Sequence, residues 1–317
     1  MRLATIIPKD GSNPLPVVES PKGGWIQLSS LLTQSRTGFA EHLQDFLTGI
    51  TLRTEDLKRR ATEWSGPRVV SAEKLLSPVP RPPAFRDFYA FEQHVKTARA
   101  KRGLAMVPAW YDIPVFYFSN HNSLVGDDAA VHAPAGSNEL DYELELGVVI
   151  GRTGRDISVE QAWSYVAGFT IINDLSARDL QRAEMSVGLG PAKGKDFATA
   201  VGPYLVTIDE FSDVIQEQTL SLDMRACVNG RELSRGNVSA LYHSIPRLIA
   251  QASQGADLFP GDLIGSGTVG TGCILELGPE NTGGWLKPGD VVELEIERLG
   301  ILRTRIVERN DGTPPKP

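Results

Sequence analysis

The sequence has little cysteine and no concentration of positive charge. Only two of its 317 residues are cysteines, Cys227 and Cys273, and neither lies in a CxxC pattern or a Cys/His cluster. This argues against a disulfide framework and a thiolate zinc site, so each thiol is expected to be a small buried apolar group. The 39 acidic residues outnumber the 32 basic ones, giving a net charge of −7. Since phosphate binding needs a clustered basic surface, no nucleic-acid partner is expected.

Long hydrophobic runs are also missing. No apolar run approaches the roughly 18 residues of a membrane span, and the N-terminal MRLATIIPKDG lacks the long apolar core of a signal peptide. We therefore expect a cytoplasmic protein without a membrane partner. A hydrophobic share of 41% and a charged share of 22% are ordinary for a globular chain, which excludes disorder across its whole length.

A proline-rich stretch predicts two domains. SPVPRPPAF, residues 77–85, holds four prolines in nine residues and can continue neither a helix nor a strand. It separates a small N-terminal α+β domain, residues 1–77, from a larger domain, residues 78–312. The first contains strand-like RLATIIP, LPVVE and GWIQL and two segments with helical spacing, FAEHLQDFL and TEDLKRRATEW.

The larger domain is dominated by strand signals between turns. Asn229-Gly230 lies between alternating segments and predicts a hairpin, and LFPGDLI and LKPGDVV predict tight turns that lead into strands. Helices are expected only near 88–102, 176–185 and 243–254. The fold class is therefore mixed α+β and β-rich, a barrel or sandwich with peripheral helices.

The stretch LDYELELGVVIG, residues 140–151, predicts a strand with carboxylates at alternate positions. Asp141, Glu143 and Glu145 would lie on one face, where they repel one another unless they are solvated or neutralised. A solvent-exposed face is the simpler reading, but the apolar continuation GVVI is unusual for an exposed edge. Asp174 ends the buried run GFTIIND. Carboxylates from two such strands suit a hard divalent cation, Mg²⁺, Ca²⁺ or Mn²⁺.

Two further groups of residues could carry chemistry. In RDFYAFEQH, His94 has acidic and aromatic neighbours and could transfer protons, although a lone histidine is more often a surface or core residue. Arg178 and Gln181 share one face of a predicted helix, and Lys195 follows in a glycine-rich loop, which suits a substrate carboxylate or an oxyanion. The alternatives are that Arg178 pairs with Asp174 and that Lys195 is solvated.

These motifs together resemble the fumarylacetoacetate hydrolase family. The resemblance rests on DFYAFEQH, LDYELELGVVIG, GFTIINDLSARDLQ, GPAKGKDFATAVGPYLV, LIGSGTVGTGCILELG and LKPGDVVELEIERLGILRTRIV, which follow one another between about residues 85 and 307. It implies a β-sandwich roll with peripheral helices around a divalent metal, in a protein that is usually homodimeric. The first 75 residues match only as the variable domain that many members carry.

The resemblance also implies roles for individual residues. His94 is the general base, which Glu276, on the strand after the SGT turn, orients, and Lys195 assists the catalysis. Asp141 receives no ligand role and is expected to end its strand near solvent. The remaining implied roles are metal binding by Asp87, Glu143, Glu145 and Asp174, substrate binding by Tyr89, Arg178, Gln181, Tyr117 and Thr268, and a polar lining position for Thr199.

The implied activity is metal-dependent hydrolysis of a carbon–carbon bond in a β-diketo acid, an acylpyruvate or fumarylacetoacetate-like compound, in aromatic or related catabolism. Mg²⁺ is the expected cofactor, with Ca²⁺ or Mn²⁺ as alternatives, and the partner is a small 2-oxo or β-diketo acid.

Smaller family members use a lid with His and Glu one helical turn apart, but Thr97 follows His94 at that spacing. Decarboxylation, tautomerisation, isomerisation or hydration of a 2-oxo acid by the same metal-enolate chemistry is the alternative activity. A binding module that has lost catalysis is a further alternative.

Overall fold

The fold is built on two β-sheets that pack against each other, with short helices at their edges. A computed structural model describes residues 1–9, 11, 13–31, 47, 54–69 and 72–309. Contacts of β13 and β11 in the larger sheet with β20 and β19 in the smaller one join the two layers. This architecture confirms the predicted mixed α+β, β-rich class with few helices, in the form of a sandwich.

The described elements run in the following order. The strands are β1 Arg2–Pro8, β2 Leu15–Glu19, β3 Trp25–Gln27, β4 Ala72–Leu76, β5 Phe85–Phe88, β6 Phe116–Phe118, β7 Leu124–Val125, β8 Ala129–Val131, β9 Leu140–Asp141, β10 Leu144–Ile150, β11 Val166–Asn173, β12 Ser176–Ala177, β13 Thr199–Thr207, β14 Ile215–Gln216, β15 Thr219–Leu220, β16 Asp223–Val228, β17 Arg231–Asn237, β18 Leu263–Gly265, β19 Val291–Ile296 and β20 Gly300–Ile306. The α-helices are Leu28–Leu31, Thr54–Glu63, Glu92–Ala100, Ala109–Asp112, Arg178–Ser186, Ile245–Ser253, Ile274–Leu277 and Pro279–Thr282, and the 3₁₀ helices are Ala162–Tyr165, Ile208–Phe211 and Val238–Ala240.

The larger sheet places six strands from the part of the chain after residue 77 side by side. Its order is β3-β2-β1-β13-β11-β10-β18-β5-β6, with β4 paired to β1 and β7 to β13. The smaller sheet has the order β17-β16-β19-β20-β8. All residues of β10 and β11 are buried, because their apolar runs are covered on both faces. Polar side chains at the ends of these strands are therefore held on a rigid, dry scaffold.

Gly265 leaves the space in which the carboxylates of Asp87 and Glu145 approach each other. Gly265 of β18 pairs with Asp87 of β5 on one side and with Gly147 of β10 on the other. A Cβ atom on Gly265 would lie 2.2 Å from Asp87 Oδ1 and 3.0 Å from Glu145 Oε2. Any side chain there would fill the space between the two carboxylates, so this position requires glycine.

Most predicted local elements are confirmed, with shifted boundaries. Asn229 and Gly230 have positive φ angles of 52° and 76° and form the predicted hairpin turn between β16 and β17. Both Pro-Gly-Asp turns lead into strands, β18 and β19. The helix expected from residue 88 begins at Glu92, because Phe85–Phe88 pairs as β5. The predicted helix over residues 39–47 lies outside the described residues except for Leu47.

The N-terminal strands extend the larger sheet. β1 pairs with β13 through Arg2 and Leu3, and Leu3 packs in one hydrophobic cluster with Val149 and Val201 of the central strands. The predicted boundary at residues 77 and 78 stays a prediction. Among the helices within the described residues, none combines the length and apolar character needed to cross a membrane.

Candidate active site

A cavity of about 600 Å³ opens where the ends of β5, β10 and β11 meet the helices Glu92–Ala100 and Arg178–Ser186. Eleven of the thirteen residues with predicted roles line it, and Glu276 and Thr199 are the exceptions. The eleven are Asp87, Tyr89, His94, Tyr117, Glu143, Glu145, Asp174, Arg178, Gln181, Lys195 and Thr268. Residues that lie up to 181 positions apart in the sequence therefore meet in one space.

Three of the four predicted metal ligands form a tight acidic cluster. One carboxylate oxygen each from Asp87, Glu145 and Asp174 lies within 4.8 Å of the others, and all three residues are buried. Burial and the neighbouring Asp174 raise the pKa of Asp87 to about 8. Burial and the nearby Asp87 carboxylate raise the pKa of Glu145 well above its usual range. The protein alone thus disfavours charge on acids that a cation would stabilise.

The donor set fits a hard divalent cation. The ligand atoms are all oxygens, which suits Mg²⁺, Ca²⁺ or Mn²⁺. Asp87 Oδ1 is buried and has no hydrogen-bond partner among the residues that the structure describes. Such an orphaned acceptor is costly unless something positive meets it. Asp87, Glu145 and Asp174 are therefore the residues that would hold the metal.

The fourth predicted ligand, Glu143, lies between two cations. Its Oε1 accepts a hydrogen bond of 2.7 Å from Arg178, and its Oε2 accepts one of 2.5 Å from Lys195. Burial alone would raise the pKa of Glu143, but the Lys195 and Arg178 charges hold it well below its usual range. Lys195 also donates to Asp174 and so connects Glu143 with the acidic cluster.

The structure corrects the prediction for Asp141, which is not near solvent. The strand breaks at residues 142 and 143, and Asp141 is fully buried on the short strand β9. Its Oδ2 accepts a hydrogen bond of 2.8 Å from Arg178 Nε, and its two oxygens accept the backbone N–H groups of Ile274 and Leu275 at 2.7 and 3.0 Å. Asp141 therefore fixes both Arg178 and the helix Ile274–Leu277.

We expect Asp141→Asn to lower the free energy of unfolding by about 1 to 3 kcal/mol, because it removes one of the two charged partners of the buried Arg178 and weakens the hydrogen bonds to the helix Ile274–Leu277. Urea unfolding of the purified protein measures this. Asp213→Asn is the matched control, since Asp213 forms a two-bond pair with Arg298 but is exposed. The control should change the free energy of unfolding much less, because an exposed ion pair contributes little to stability. Equal losses in the two variants would contradict the assigned role of Asp141.

His94 and Glu276 form a buried pair. His94 Nδ1 lies 2.8 Å from Glu276 Oε2. The structure corrects the location of Glu276, which lies on the four-residue helix Ile274–Leu277 rather than on a strand. Gly278 ends this helix with a φ angle of 87°, and Asp141 binds the N–H groups at its beginning. Because Glu276 holds Nδ1, the second ring nitrogen of His94 is left for the cavity.

Hydrogen-bond donors line the opposite side of the cavity. Arg178 pairs with Asp141 and Glu143 rather than with Asp174, and Lys195 is buried rather than solvated. Gln181 Oε1 accepts a hydrogen bond of 3.0 Å from Arg178, which leaves its amide N–H groups to donate. Burial raises the pKa of Tyr89 to about 12, so this phenol stays a neutral donor.

Three hydroxyl groups donate hydrogen bonds to carboxylates of the acidic cluster. Tyr117 donates to Asp174 at 2.7 Å, Thr199 donates to Asp174 at 3.3 Å and Thr268 donates to Glu145 at 3.4 Å. Tyr117 and Thr268, which the resemblance predicts to bind substrate, line the cavity but direct their hydroxyl groups to the acidic cluster.

The cavity also has lining residues to which the sequence analysis gave no role. Arg99 and Arg102 line it together with apolar side chains. Ala98 and Arg102 follow His94 at intervals of four residues on the helix Glu92–Ala100 and its last turn, and this spacing is the sequence signal that could have identified them. The apolar lining residues are Phe88, Ala98, Leu104, Val115, Phe116, Met185, Pro191 and Leu275.

Two curated relatives are similar to this chain. It is 38% identical to the 2,4-didehydro-3-deoxy-L-rhamnonate hydrolase of Sphingomonas sp. (strain SKA58) over 196 residues, which are 62% of this chain and 65% of the relative. It is 36% identical to the mitochondrial oxaloacetate tautomerase Fahd2a of Rattus norvegicus over 196 residues, 61% of this chain and 59% of the relative. The matches thus span about three fifths of the length of these relatives.

Two solved structures have a similar fold. The fumarylacetoacetate hydrolase of the psychrophilic Exiguobacterium antarcticum matches with a TM-score of 0.72 and 25% identity over 98% of this chain and all of that one. The fumarylpyruvate hydrolase of Pseudomonas aeruginosa, solved with Mn²⁺ and pyruvate, matches with a TM-score of 0.60 and 22% identity over 75% of this chain and 94% of that one. The second likeness concerns the fold alone.

The family match covers the part of the chain that holds the cavity. Residues 84–307 match the family described as "Fumarylacetoacetate (FAA) hydrolase C-terminal". This range contains every residue of the acidic cluster, the His94–Glu276 pair and the donors opposite them. The protein belongs to the fumarylacetoacetate hydrolase family.

Proposed function

We propose that the protein is a metal-dependent hydrolase that cleaves a carbon–carbon bond in a β-diketo acid of the acylpyruvate or fumarylacetoacetate type. The observation that carries this proposal is the pairing of His94 with Glu276 in the cavity that also holds the acidic cluster. A base next to a carbonyl-binding site is the arrangement that attack by water requires. The hydrolase name of the Sphingomonas relative, at 38% identity, also supports it.

The acidic cluster supplies the electrophilic half of the reaction. Asp87, Glu145 and Asp174 would hold the cation, Mg²⁺ by preference and Ca²⁺ or Mn²⁺ as alternatives, and Glu143 completes the ligand set that the resemblance implies. When bound, a divalent cation acts as a Lewis acid that polarises the carbonyl oxygens of a 2-oxo acid.

His94 supplies the general base. The Nδ1–H group of His94 donates a hydrogen bond to Glu276. Nε2 of the neutral imidazole then faces the cavity as a hydrogen-bond acceptor. This nitrogen takes a proton from a water molecule whose oxygen bonds to the acyl carbon of the substrate. The bond between the acyl carbon and the methylene carbon then breaks, and its electron pair passes to the methylene side as an enolate. His94 returns the proton to that carbon, which yields a carboxylic acid and pyruvate or a related 2-oxo acid.

The hydrogen-bond donors bind the substrate and stabilise the negative charge that develops on the enolate oxygen. An ammonium group has three N–H donors, and Lys195 uses two on Glu143 and Asp174, which leaves one for an enolate oxygen. Arg178 and Gln181 supply N–H groups to the substrate carboxylate, and Tyr89 donates its neutral hydroxyl group. Arg178 and Lys195 are buried, which strengthens their contacts because water competes little there.

Tautomerisation of a 2-oxo acid is the second candidate. The 36% identity to a rat oxaloacetate tautomerase favours it, because that chemistry needs the same enolate-stabilising donors without attack by water. Decarboxylation, isomerisation and hydration draw on the same groups. A homodimer, a cytoplasmic location and a role in aromatic or related catabolism stay predictions.

Product analysis with a substrate panel tests the proposal. The purified protein with Mg²⁺ or Mn²⁺ should convert an acylpyruvate into equal amounts of carboxylic acid and pyruvate. Oxaloacetate is the comparison substrate, since it can tautomerise or lose carbon dioxide but offers no acyl group to hydrolyse. Turnover of oxaloacetate without turnover of any acylpyruvate would refute the hydrolase assignment and support the second candidate.

A further inference from the structure

Cys273 lies beside the His94–Glu276 pair and has no part in the proposed reaction. Its Sγ is 3.6 Å from Glu276 Oε2, the same oxygen that lies 2.8 Å from His94 Nδ1. One ligand atom from each of the three residues lies within 4.8 Å of the others, and all three side chains are buried. Nitrogen, sulfur and oxygen donors thus converge at one point behind the cavity wall.

Glu276 carries an unused acceptor in this group. Its Oε1 is buried and has no hydrogen-bond partner among the residues that the structure describes. The carboxylate is more than nine-tenths buried, so water does not compensate for the missing bond. A cation bound by His94, Cys273 and Glu276 would satisfy this oxygen.

We propose that His94, Cys273 and Glu276 form a second cation site that takes Zn²⁺ and, when occupied, switches off the general base. Thiolate and imidazole donors select zinc over Mg²⁺, which prefers oxygen. The acidic cluster has the opposite preference, so the two sites discriminate between the two metals. The inhibitory part of this inference rests on the proposed function, whereas the binding part does not.

The geometry requires only small movements. Zinc lies about 2.3 Å from sulfur and about 2.0 to 2.1 Å from nitrogen, which places tetrahedral ligands about 3.3 to 3.7 Å apart. At present Glu276 Oε2 lies 2.8 Å from His94 Nδ1 and 3.6 Å from Cys273 Sγ, and all three ligand atoms lie within 4.8 Å of one another. The Glu276 carboxylate can bind through both oxygens, because its Oε1 has no hydrogen-bond partner among the described residues.

Zinc bound at this site prevents His94 from acting as the general base, because it changes which ring nitrogen carries the proton. Binding releases the thiol proton of Cys273 to solvent. The imidazole proton moves from Nδ1, which becomes a ligand, to Nε2. Because a neutral imidazole carries only one N–H proton, Nε2 becomes a donor and can no longer accept a proton from water.

Cobalt spectroscopy tests the binding without any substrate. Co²⁺ added to the full-length protein in excess Mg²⁺ should produce a thiolate-to-cobalt charge-transfer band that Zn²⁺ abolishes. Cys273→Ser should remove the band, and Cys227→Ser, the matched control on β16, should keep it. No band at stoichiometric cobalt, or a band that depends on Cys227, would overturn the site.

Two further measurements complete the test. Crystals of the wild-type protein grown with Zn²⁺ should show an anomalous peak between His94 Nδ1 and Cys273 Sγ, a result that does not depend on the folding of a variant. A zinc peak confined to the acidic cluster would overturn the proposal.

In activity assays, Cys273→Ser should raise the half-inhibitory Zn²⁺ concentration at least about tenfold. Unchanged inhibition would overturn the regulatory claim. A protein that turns over no β-diketo acid but shows the cobalt band would refute only the proposed function.

Discussion

The His94→Ala variant is expected to lose about 10²- to 10⁴-fold in kcat on the best β-diketo acid substrate, the range typical for removal of a general acid–base group. KM should change much less, because the proposed mechanism assigns substrate binding to Arg178, Gln181 and the cation site. Steady-state kinetics with saturating Mg²⁺ measure both constants. A kcat within a few-fold of the wild type would show that another group activates the water.

Two variants control for structural damage at this position. His94→Gln keeps a donor for Glu276 but offers no base, so it should lose as much activity as His94→Ala with a smaller loss of stability. His132→Ala removes an exposed histidine outside the cavity and should keep wild-type kinetics. If His94→Gln retained activity, the role of His94 would be to position Glu276 rather than to act as the base.

The Glu145→Gln variant is expected to abolish stabilisation by divalent cations and, with it, turnover. In the wild type, a cation at 100 times its dissociation constant should add about 2.7 kcal/mol to the free energy of unfolding. Without metal, the variant should be at least as stable as the wild type. Burial and the Asp87 charge raise the pKa of Glu145, so its charged form destabilises the folded state near neutral pH, and an uncharged amide removes that cost.

Thermal unfolding with and without Mg²⁺, Mn²⁺ and Ca²⁺ measures this effect. Glu160→Gln removes an exposed carboxylate and should keep the full metal-dependent rise in Tm. A wild-type rise in Tm that persists in Glu145→Gln would contradict the assigned cluster. The cation that gives the largest rise at equal concentration identifies the preferred metal.

The sequence was most informative where motifs are local. The parity of Glu143 and Glu145, the position of Asp174 at a strand end and the spacing of DFYAFEQH all led to the same cavity. Strand alternation and helical spacing translate directly into shared faces, so these residues could be grouped before their partners were known.

The errors concern residues whose environment comes from far along the chain. Asp141 was expected near solvent because the resemblance gives it no ligand role, yet the strand breaks after it, and it accepts hydrogen bonds from backbone groups 133 and 134 residues away. Glu276 was expected on a strand because the resemblance implies a strand after the SGT turn. A four-residue helix is too short to show a helical period, and this one depends on Asp141 at its beginning.

Isotope incorporation tests the central claim most directly. When an acylpyruvate is turned over with Mg²⁺ in water enriched in ¹⁸O, hydrolysis by His94-activated water should place one ¹⁸O atom in the new carboxylate of the released acid. Mass spectrometry of the acid after a single turnover reads this out, with the His94→Gln variant as the control. Formation of pyruvate and acid with one ¹⁸O per molecule is the predicted result. An acid without ¹⁸O, or an acylpyruvate that is recovered uncleaved, would contradict the account.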